Sequence, residues 1–224
     1  MKITYLGQAG LLFETENIKI MIDPYLSNSV EKIEPKNYRR QPIDESYFDI
    51  KPDILVLTHN HLDHTDPETL EKLFSKHSGI CVLASKNAWN TVRKYGGNNN
   101  YVMFDRGTEW TEKGIRFNAV YAEHSDDSAV GVLISCEGKT YYVTGDTLYN
   151  KKVFEDINVP IDVLFLPING IGNNMNVCDA ARFAAKIGAK KTVPIHFGMF
   201  DDLSPEKFVY ENRVIPEIYK EIRL

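Results

Sequence analysis

A wholly apolar run of four residues is followed at once by a polar segment that holds three of the chain's six histidines. The apolar run is residues 54–57, and the segment after it, residues 58–64, reads Thr-His-Asn-His-Leu-Asp-His. A strand without polar positions is typical of one that is buried on both faces of a sheet. The sequence therefore predicts a layered fold in which the histidine-rich segment leaves the end of a buried strand.

The histidine-rich segment has the residue types and the spacing of a metal site. In a tight loop, the alternate residues His59 and His61 can point to one side and bind one cation. Asp63 and His64 lie past the bend and can face a second cation. All these donors are nitrogen or oxygen, which suits Zn²⁺, Mn²⁺ or Fe²⁺ rather than a thiolate-dependent site. A solvated histidine-rich loop is the alternative, but the density of imidazoles, which commonly bind metals, favours a metal site.

Four further polar residues follow predicted strands in the same way as His59. They are Asp23 after residues 18–22, His124 after residues 116–122, Asp146 after residues 140–144 and His196 after residues 192–195. Side chains from distant segments can converge where strands end at one rim of a sheet. We therefore predict that these residues join the histidine-rich segment in one site.

The remaining pattern alternates strands and helices, which predicts a single α+β layered domain over residues 1–224. The predicted strands are residues 2–6, 10–15, 18–22, 54–57, 80–84, 116–122, 129–136, 140–144, 163–166 and 192–195, and the predicted helices are residues 67–76, 87–95, 178–187 and 205–212. Residues 24–52 lose this periodicity and are predicted to form a long loop, a kind of segment that is usually functional or mobile. The pattern does not determine whether this loop covers the site.

Composition narrows the class of protein and of partner. The chain is 43% hydrophobic and 25% charged, which is typical of a globular protein, and its formal net charge of -5 speaks against a nucleic-acid partner. Three widely separated cysteines do not suggest a disulfide framework and fit a reducing compartment. No apolar run approaches the roughly 20 residues that span a bilayer. We expect a cytoplasmic protein with a small-molecule substrate and no membrane partner; self-association into a homo-oligomer stays open.

Taken together, these motifs resemble the metallo-β-lactamase fold superfamily, whose fold is an αββα sandwich. By that resemblance, His59, His61 and His124 would bind a first metal ion. The second ion would be bound by another three residues, Asp63, His64 and His196, with Asp146 bridging the two ions and Asp23 holding the histidine-rich loop by hydrogen bonds. Residues 6–10, 23–25 and 145–149 are most similar to the group of the L-ascorbate-6-phosphate lactonase and its relatives, as is the stretch 169–200.

The expected activity is hydrolysis by a hydroxide that two metal ions activate, most simply on a lactone or ester of a small molecule, with a phosphorylated sugar lactone favoured by the resemblance. Asp63 is expected to bind metal and orient the nucleophile, and Tyr149 to donate a hydrogen bond to the developing oxyanion, although packing is the alternative for Tyr149. Arg39 or Arg40 of the long loop would bind a substrate phosphate, and Asn169 would line the pocket; for the arginines, a solvated charge run is the alternative.

Two other functions fit the same residues. A metal-dependent phosphodiesterase would use the same activated hydroxide on phosphorus. A metal-binding protein that has lost catalysis is the non-enzymatic alternative, against which the intact ligand set argues. A di-iron oxidoreductase fits less well, because His61 stands where such proteins typically have a carboxylate. The resemblance favours manganese, while the donors also permit zinc and iron.

Overall fold

Two six-stranded sheets form the centre of the computed structural model, which describes residues 1–224. The first sheet contains β1 (Lys2–Gly7), β2 (Gly10–Glu14), β3 (Lys19–Ile22), β4 (Ile54–Leu57), β5 (Cys81–Ala84) and β6 (Asn100–Met103), in that spatial order. Strands β1 to β3 are antiparallel, and β3 to β6 are parallel. The apolar strand β4 is fully buried between β3 and β5, as its sequence predicts.

The second sheet is built from the second half of the chain. It contains β7 (Glu109–Glu112), β8 (Ile115–Tyr121), β9 (Val130–Cys136), β10 (Lys139–Val143), β11 (Val163–Pro167) and β12 (Lys191–Ile195), again in chain order across the sheet. Strands β7 to β10 are antiparallel, and β10 to β12 are parallel.

Helices cover the outer face of each sheet. The four α-helices are α1 (Ser29–Ile33), α2 (Pro67–Lys76), α3 (Lys86–Val92) and α4 (Val177–Ile187). Leu70 and Leu73 of α2 pack with Ala88 and Val92 of α3 against the outer side of the first sheet, and Phe183 of α4 packs outside the second. None of these helices is long and apolar enough to cross a membrane.

The largest hydrophobic core lies between the two sheets. Ile20 and Val56 of the first sheet share this core with Val132 and Phe165 of the second, and Phe13 makes edge contacts with the rings of Tyr141 and Phe165. Helix, sheet, sheet and helix layers therefore follow one another, and the predicted αββα sandwich is confirmed.

Three predictions about elements need correction. Strands β6 and β7 were not expected, because both are sheet edges with mixed exposure and no clear apolar alternation. The predicted helix 205–212 is wrong, since only Pro205–Lys207 forms a single 3-10 turn before the chain extends. The predicted loop 24–52 contains α1 and a 3-10 helix, Glu45–Asp49.

The C-terminal segment ties the two sheets together near the site. After the 3-10 turn, Arg213 bridges to Thr192 of β12, and Ile218 bridges to Tyr5 of β1. Backbone bonding of this kind satisfies polar groups that a helix would otherwise pair internally. The segment therefore joins the β1 edge of the first sheet to the β12 edge of the second.

Candidate metal centre

The predicted metal ligands follow the carboxyl ends of strands in both sheets. Asp23 directly follows β3 and His196 directly follows β12. His59 lies two residues past β4, and His124 and Asp146 lie three residues past β8 and β10. Asp23 and His196 have positive φ angles of 42° and 59°. Non-glycine residues rarely adopt this left-handed conformation, and strained residues of this kind cluster at functional sites.

One group of donors is formed by three histidines. The ligand atoms of His59, His61 and His124 lie within 4.8 Å of one another. Nε2 of His124 is 3.0 Å from Nδ1 of His61, and the His59 ring lies 4.6 Å from each of the other two rings. On its far side, Nδ1 of His124 lies 3.2 Å from the Asn173 carbonyl oxygen, which can accept its proton and so leave Nε2 free for a cation.

A second group of donors combines carboxylate and imidazole. Asp63, His64 and His196 also have ligand atoms within 4.8 Å of one another, and Nε2 of His196 is 3.3 Å from Oδ2 of Asp63. Asp146 stands between the two groups. Its Oδ2 lies 3.2 Å from His196 Nε2 and 4.0 Å from His59 Nε2, as a carboxylate shared by two cations would require.

Several of these donors lack hydrogen-bond partners although they are buried. Nε2 of His59, Nε2 of His64 and Oδ1 of Asp146 are inaccessible to solvent and unpaired, and the last two face each other at 3.3 Å without forming a hydrogen bond. Leaving such polar atoms unsatisfied costs free energy, so a native protein rarely does so without a functional reason. Divalent cations fit this donor set, because they would satisfy these orphaned nitrogen and oxygen atoms together.

Burial and mutual charge set the ionisation of the cluster. Burial, reinforced by the neighbouring His64, lowers the pKa of His59 well below its usual value. Burial also opposes the charge on His196, but the carboxylates of Asp146 and Asp63 outweigh it and raise the pKa of His196 to about 9. The same carboxylates raise the pKa of His64 well above its usual range despite burial. The carboxylates thus favour the charged form of both imidazoles when no cation is bound.

Asp23 positions two metal-site histidines at once. Its fully buried carboxylate accepts hydrogen bonds from His64 Nδ1 at 2.8 Å and from the Thr58 backbone amide at 2.8 Å. The Thr58 hydroxyl also donates to Asp23 and lies 3.1 Å from His59 Nδ1. Asp23 lies close enough to His59 and His64 to be a ligand itself, but its oxygens are already engaged by these donors. The structure thus places Asp23 behind the histidines, where it orients them.

Sequence reasoning missed the hydrogen bonds by which three polar residues support the site. Gln8 is buried, and its amide nitrogen lies 2.7 Å from Asp63 Oδ2 and 3.0 Å from His196 Nε2. Asn174 donates to Asp146 Oδ2 at 2.8 Å, and Asp126 accepts the Asn60 backbone amide at 2.8 Å. The sequence feature that could have pointed to Gln8 is its position in the turn between two predicted strands, between Gly7 and Gly10.

The cluster forms the floor of a cavity of about 410 Å³. From the cluster itself, His61, Asp63, Asp146 and His196 line this cavity. The walls come from α1 and the residues after it, from the segment 169–174 and from the turn after β12 (the full set beyond the cluster is Gln8, Val30, Ile33, Glu34, Asn37, Leu62, Ser125, Asn169, Ile171, Gly172, Asn174, Phe200 and Asp201). Part of the predicted loop 24–52 therefore does form a wall of the site.

The two-sheet fold and this donor set agree with comparison against known families. The family described as "Beta-lactamase superfamily domain" matches residues 2–196 of the chain. The chain belongs to the β-lactamase superfamily. The match includes every predicted metal ligand, from His59 in the histidine-rich segment to His196 after β12.

Individual relatives and solved structures resemble the chain over nearly its whole length. A UPF0173 metal-dependent hydrolase from Geobacillus thermodenitrificans is 32% identical, covering 93% of this chain and 92% of the relative. A metallo hydrolase from the archaeon Ignicoccus hospitalis has a TM-score of 0.78 and 21% identity, covering 99% of this chain and 97% of that one. A structure from Veillonella parvula, described as a possible metal-dependent hydrolase, has a TM-score of 0.81 at 18% identity, with coverage of 100% and 99%. These structural similarities support the fold.

Within this superfamily fold, two predicted substrate-binding residues lie away from the cavity. Arg39 donates to the backbone carbonyls of Tyr25 and Gln41, both at 2.7 Å, and to the Tyr219 hydroxyl. Arg40 pairs with Asp202, and neither arginine lines the cavity. These positions give no support to the predicted contact with a substrate phosphate, because the hydrogen bonds of the Arg39 guanidinium hold the loop against the C-terminal segment.

Of the remaining two predicted residues, Asn169 and Tyr149, only the first lies at the cavity. Asn169 lines the cavity, and its side-chain oxygen has no hydrogen-bond partner within the chain. Tyr149 does not line the cavity, because its ring packs against Phe154 and Phe183 and under the Arg182 guanidinium in the outer layer. This position gives no support to the predicted role of Tyr149 as an oxyanion donor and matches the packing alternative.

Proposed function

We propose that the chain is a metal-dependent hydrolase that uses two divalent cations to hydrolyse an ester or lactone of a small molecule. The observation that carries this proposal is the set of buried, unpaired donor atoms of His59, His64 and Asp146, the last of which lines the cavity. The relatives named as metal-dependent hydrolases support the reaction type. The cavity supports a small substrate, because about 410 Å³ lies within the range of ordinary small-molecule sites.

Some residues of the site would bind the cations, and others would orient the ligands and the attacking water. His59, His61 and His124 would hold one cation, and Asp63, His64 and His196 the other, with Asp146 shared between them. When bound, such cations lower the pKa of water to near neutrality and polarise the carbonyl oxygen under attack.

Asp63 is the residue best placed to orient the attacking water. Burial opposes its charge, but His64 and His196 hold the pKa of Asp63 below its usual range, so it remains a carboxylate at neutral pH. It lines the cavity, and the Gln8 amide fixes one of its oxygens. Asn174 fixes Asp146 in the same way from the other side. Asp63 can therefore accept a hydrogen bond from water at the cavity floor without swinging away.

A substrate panel tests the proposal. The full-length protein, loaded separately with Mn²⁺ and Zn²⁺, would be assayed on a neutral lactone, a phosphorylated sugar lactone and an aryl phosphodiester. Faster hydrolysis of either lactone is the expected result. Preference for the phosphodiester would replace the proposal with the phosphodiesterase alternative, and a metal-loaded protein inert on all three would favour the non-enzymatic one.

A further inference from the structure

Two large apolar side chains at the cavity are exposed to solvent. Ile33 at the end of α1 is 72% exposed, and Ile171 in the segment after β11 is 64% exposed, yet both line the same cavity. Val30, Leu62 and Phe200 continue this apolar surface towards the metal centre. Single exposed apolar residues are common on proteins, but a group that rims one concave site marks a binding surface.

The charged residues of the cavity have one sign. Outside the metal cluster, the charged residues that line it are Glu34 and Asp201, and no lysine or arginine is among the lining residues. The nearby Arg40 is drawn to Asp202 and lies over the Tyr38 ring. A phosphate carried on a substrate beyond the cations would therefore face carboxylates, whereas phosphate sites in proteins present arginine, lysine or free backbone amides.

We infer that the substrate of this site carries an uncharged apolar group that lies between Ile33 and Ile171, and that it carries no phosphate. The inference rests on the proposed ester or lactone hydrolysis and specifies the class of molecule. The reacting carbonyl would lie at the polar floor, and the apolar group would extend through the mouth, where burial of its methylenes supplies binding free energy. Glu34 and Asp201 would repel anionic competitors.

Three lactones separate the alternatives. A γ-lactone with a pentyl chain, unsubstituted gluconolactone and phosphorylated gluconolactone would be compared by kcat/KM with the metal-loaded protein. The alkyl lactone should be the best substrate and the phosphorylated sugar the poorest. Equal or higher efficiency on the phosphorylated sugar would overturn the inference while leaving the proposed hydrolase activity intact.

Substitutions at the mouth test the residues themselves. The double variant Ile33→Ser, Ile171→Ser should raise KM for the alkyl lactone by about tenfold, in the range that loss of apolar contact to a few methylenes produces, with kcat nearly unchanged. Val209→Ser is the matched control, because Val209 is 77% exposed and lies outside the cavity. Glu34→Lys should raise kcat/KM for the phosphorylated sugar severalfold. An unchanged KM in the double variant, or no gain in Glu34→Lys, would contradict the inference.

A binding measurement keeps this inference separate from the proposed activity. A pentyl-substituted tetrahydrofuran has the ring and the chain but no carbonyl, so its binding can be followed by calorimetry without turnover. If the protein hydrolyses none of the lactones, the proposed function fails. The apolar site is still supported if the double variant binds this analogue more weakly than the unchanged protein does. The competing explanation is that the two isoleucines form an interface between copies of the protein, which light scattering tests. A dimer that dissociates in the double variant would overturn the inference.

Discussion

Gln8 and Asp63, which are 55 positions apart in the chain, are joined by a hydrogen bond of 2.7 Å from the Gln8 amide to a carboxylate oxygen of Asp63. The same amide nitrogen lies 3.0 Å from the His196 ring, and the Gln8 backbone oxygen accepts the His196 amide at 2.6 Å. Gln8 also has a left-handed φ of 52°. The turn between β1 and β2 therefore connects the histidine-rich segment to the end of β12.

Gln8→Ala should weaken metal binding at the group formed by Asp63, His64 and His196. Residues that orient metal ligands typically contribute about 10–100-fold in affinity, so a loss of that size is expected. Titration with Zn²⁺ against a competing chelator measures it. Gln41→Ala is the control, because the Gln41 side chain makes only a 3.5 Å contact with the Gly198 carbonyl. Equal affinities in the two variants would mean that Gln8 does not position Asp63.

Asp23→Asn should affect both groups of donors, because Asp23 supports His64 directly and His59 through Thr58. Total metal content after dialysis should fall, with affinity lower by about 10–100-fold. The control is Asp49→Asn, which removes an exposed carboxylate paired with Lys76. Full metal content in Asp23→Asn would show that the histidines keep their orientation without it.

His61→Ala and Asp146→Ala should each abolish hydrolysis while the fold is kept. His61 is partly exposed at the cavity, and Asp146 is small, so neither change opens a large hole in the core. Circular dichroism and kcat/KM, measured on the same samples, check both halves of this prediction. Full activity in either variant would refute the proposed use of the cluster.

Metal uptake should release protons. The pKa of His196 is raised to about 9 and that of His64 well above its usual value, so both rings are protonated at neutral pH and must lose a proton to bind a cation. Apparent affinity should therefore rise with pH and level off only above about 9, the pKa of His196, where that ring loses its proton without the cation. Calorimetry in buffers of different ionisation enthalpy should detect about two protons released per protein at pH 7.5. Uptake without proton release would show that the two rings are neutral before binding.

Arg39→Ala should lower stability rather than substrate affinity. Its guanidinium makes hydrogen bonds to Tyr25, Gln41 and Tyr219, and their loss should cost about 2–4 kcal/mol in the free energy of unfolding. Denaturant unfolding measures this loss, with the exposed Lys36→Ala as the control from the same segment. A higher KM for a phosphorylated substrate at unchanged stability would restore the phosphate-binding role predicted from sequence.

The sequence was most informative where chemistry and strand ends coincide. His59, His124, Asp146 and His196 could be placed at one rim, because each follows a recognisable apolar run and strand ends gather at a common edge. Gln8, Thr58 and Asn174 escaped prediction because their roles depend on hydrogen bonds across distant segments, which no local pattern encodes. Arg39 and Tyr149 lie outside the cavity that their predicted roles need, because residue type and proximity in sequence do not show which way a side chain points.

The site lies where the two sheets meet, and each of the two groups of donors combines residues from both halves of the chain. The group around His59 depends on His124 from the second half, and the group around Asp63 depends on His196. A bound cation would therefore cross-link the two sheets, which come from different halves of the chain. Removal of the cation should weaken the packing between the two sheets before either sheet unfolds. The unfolding transition of the whole chain should therefore be less cooperative without metal than with it.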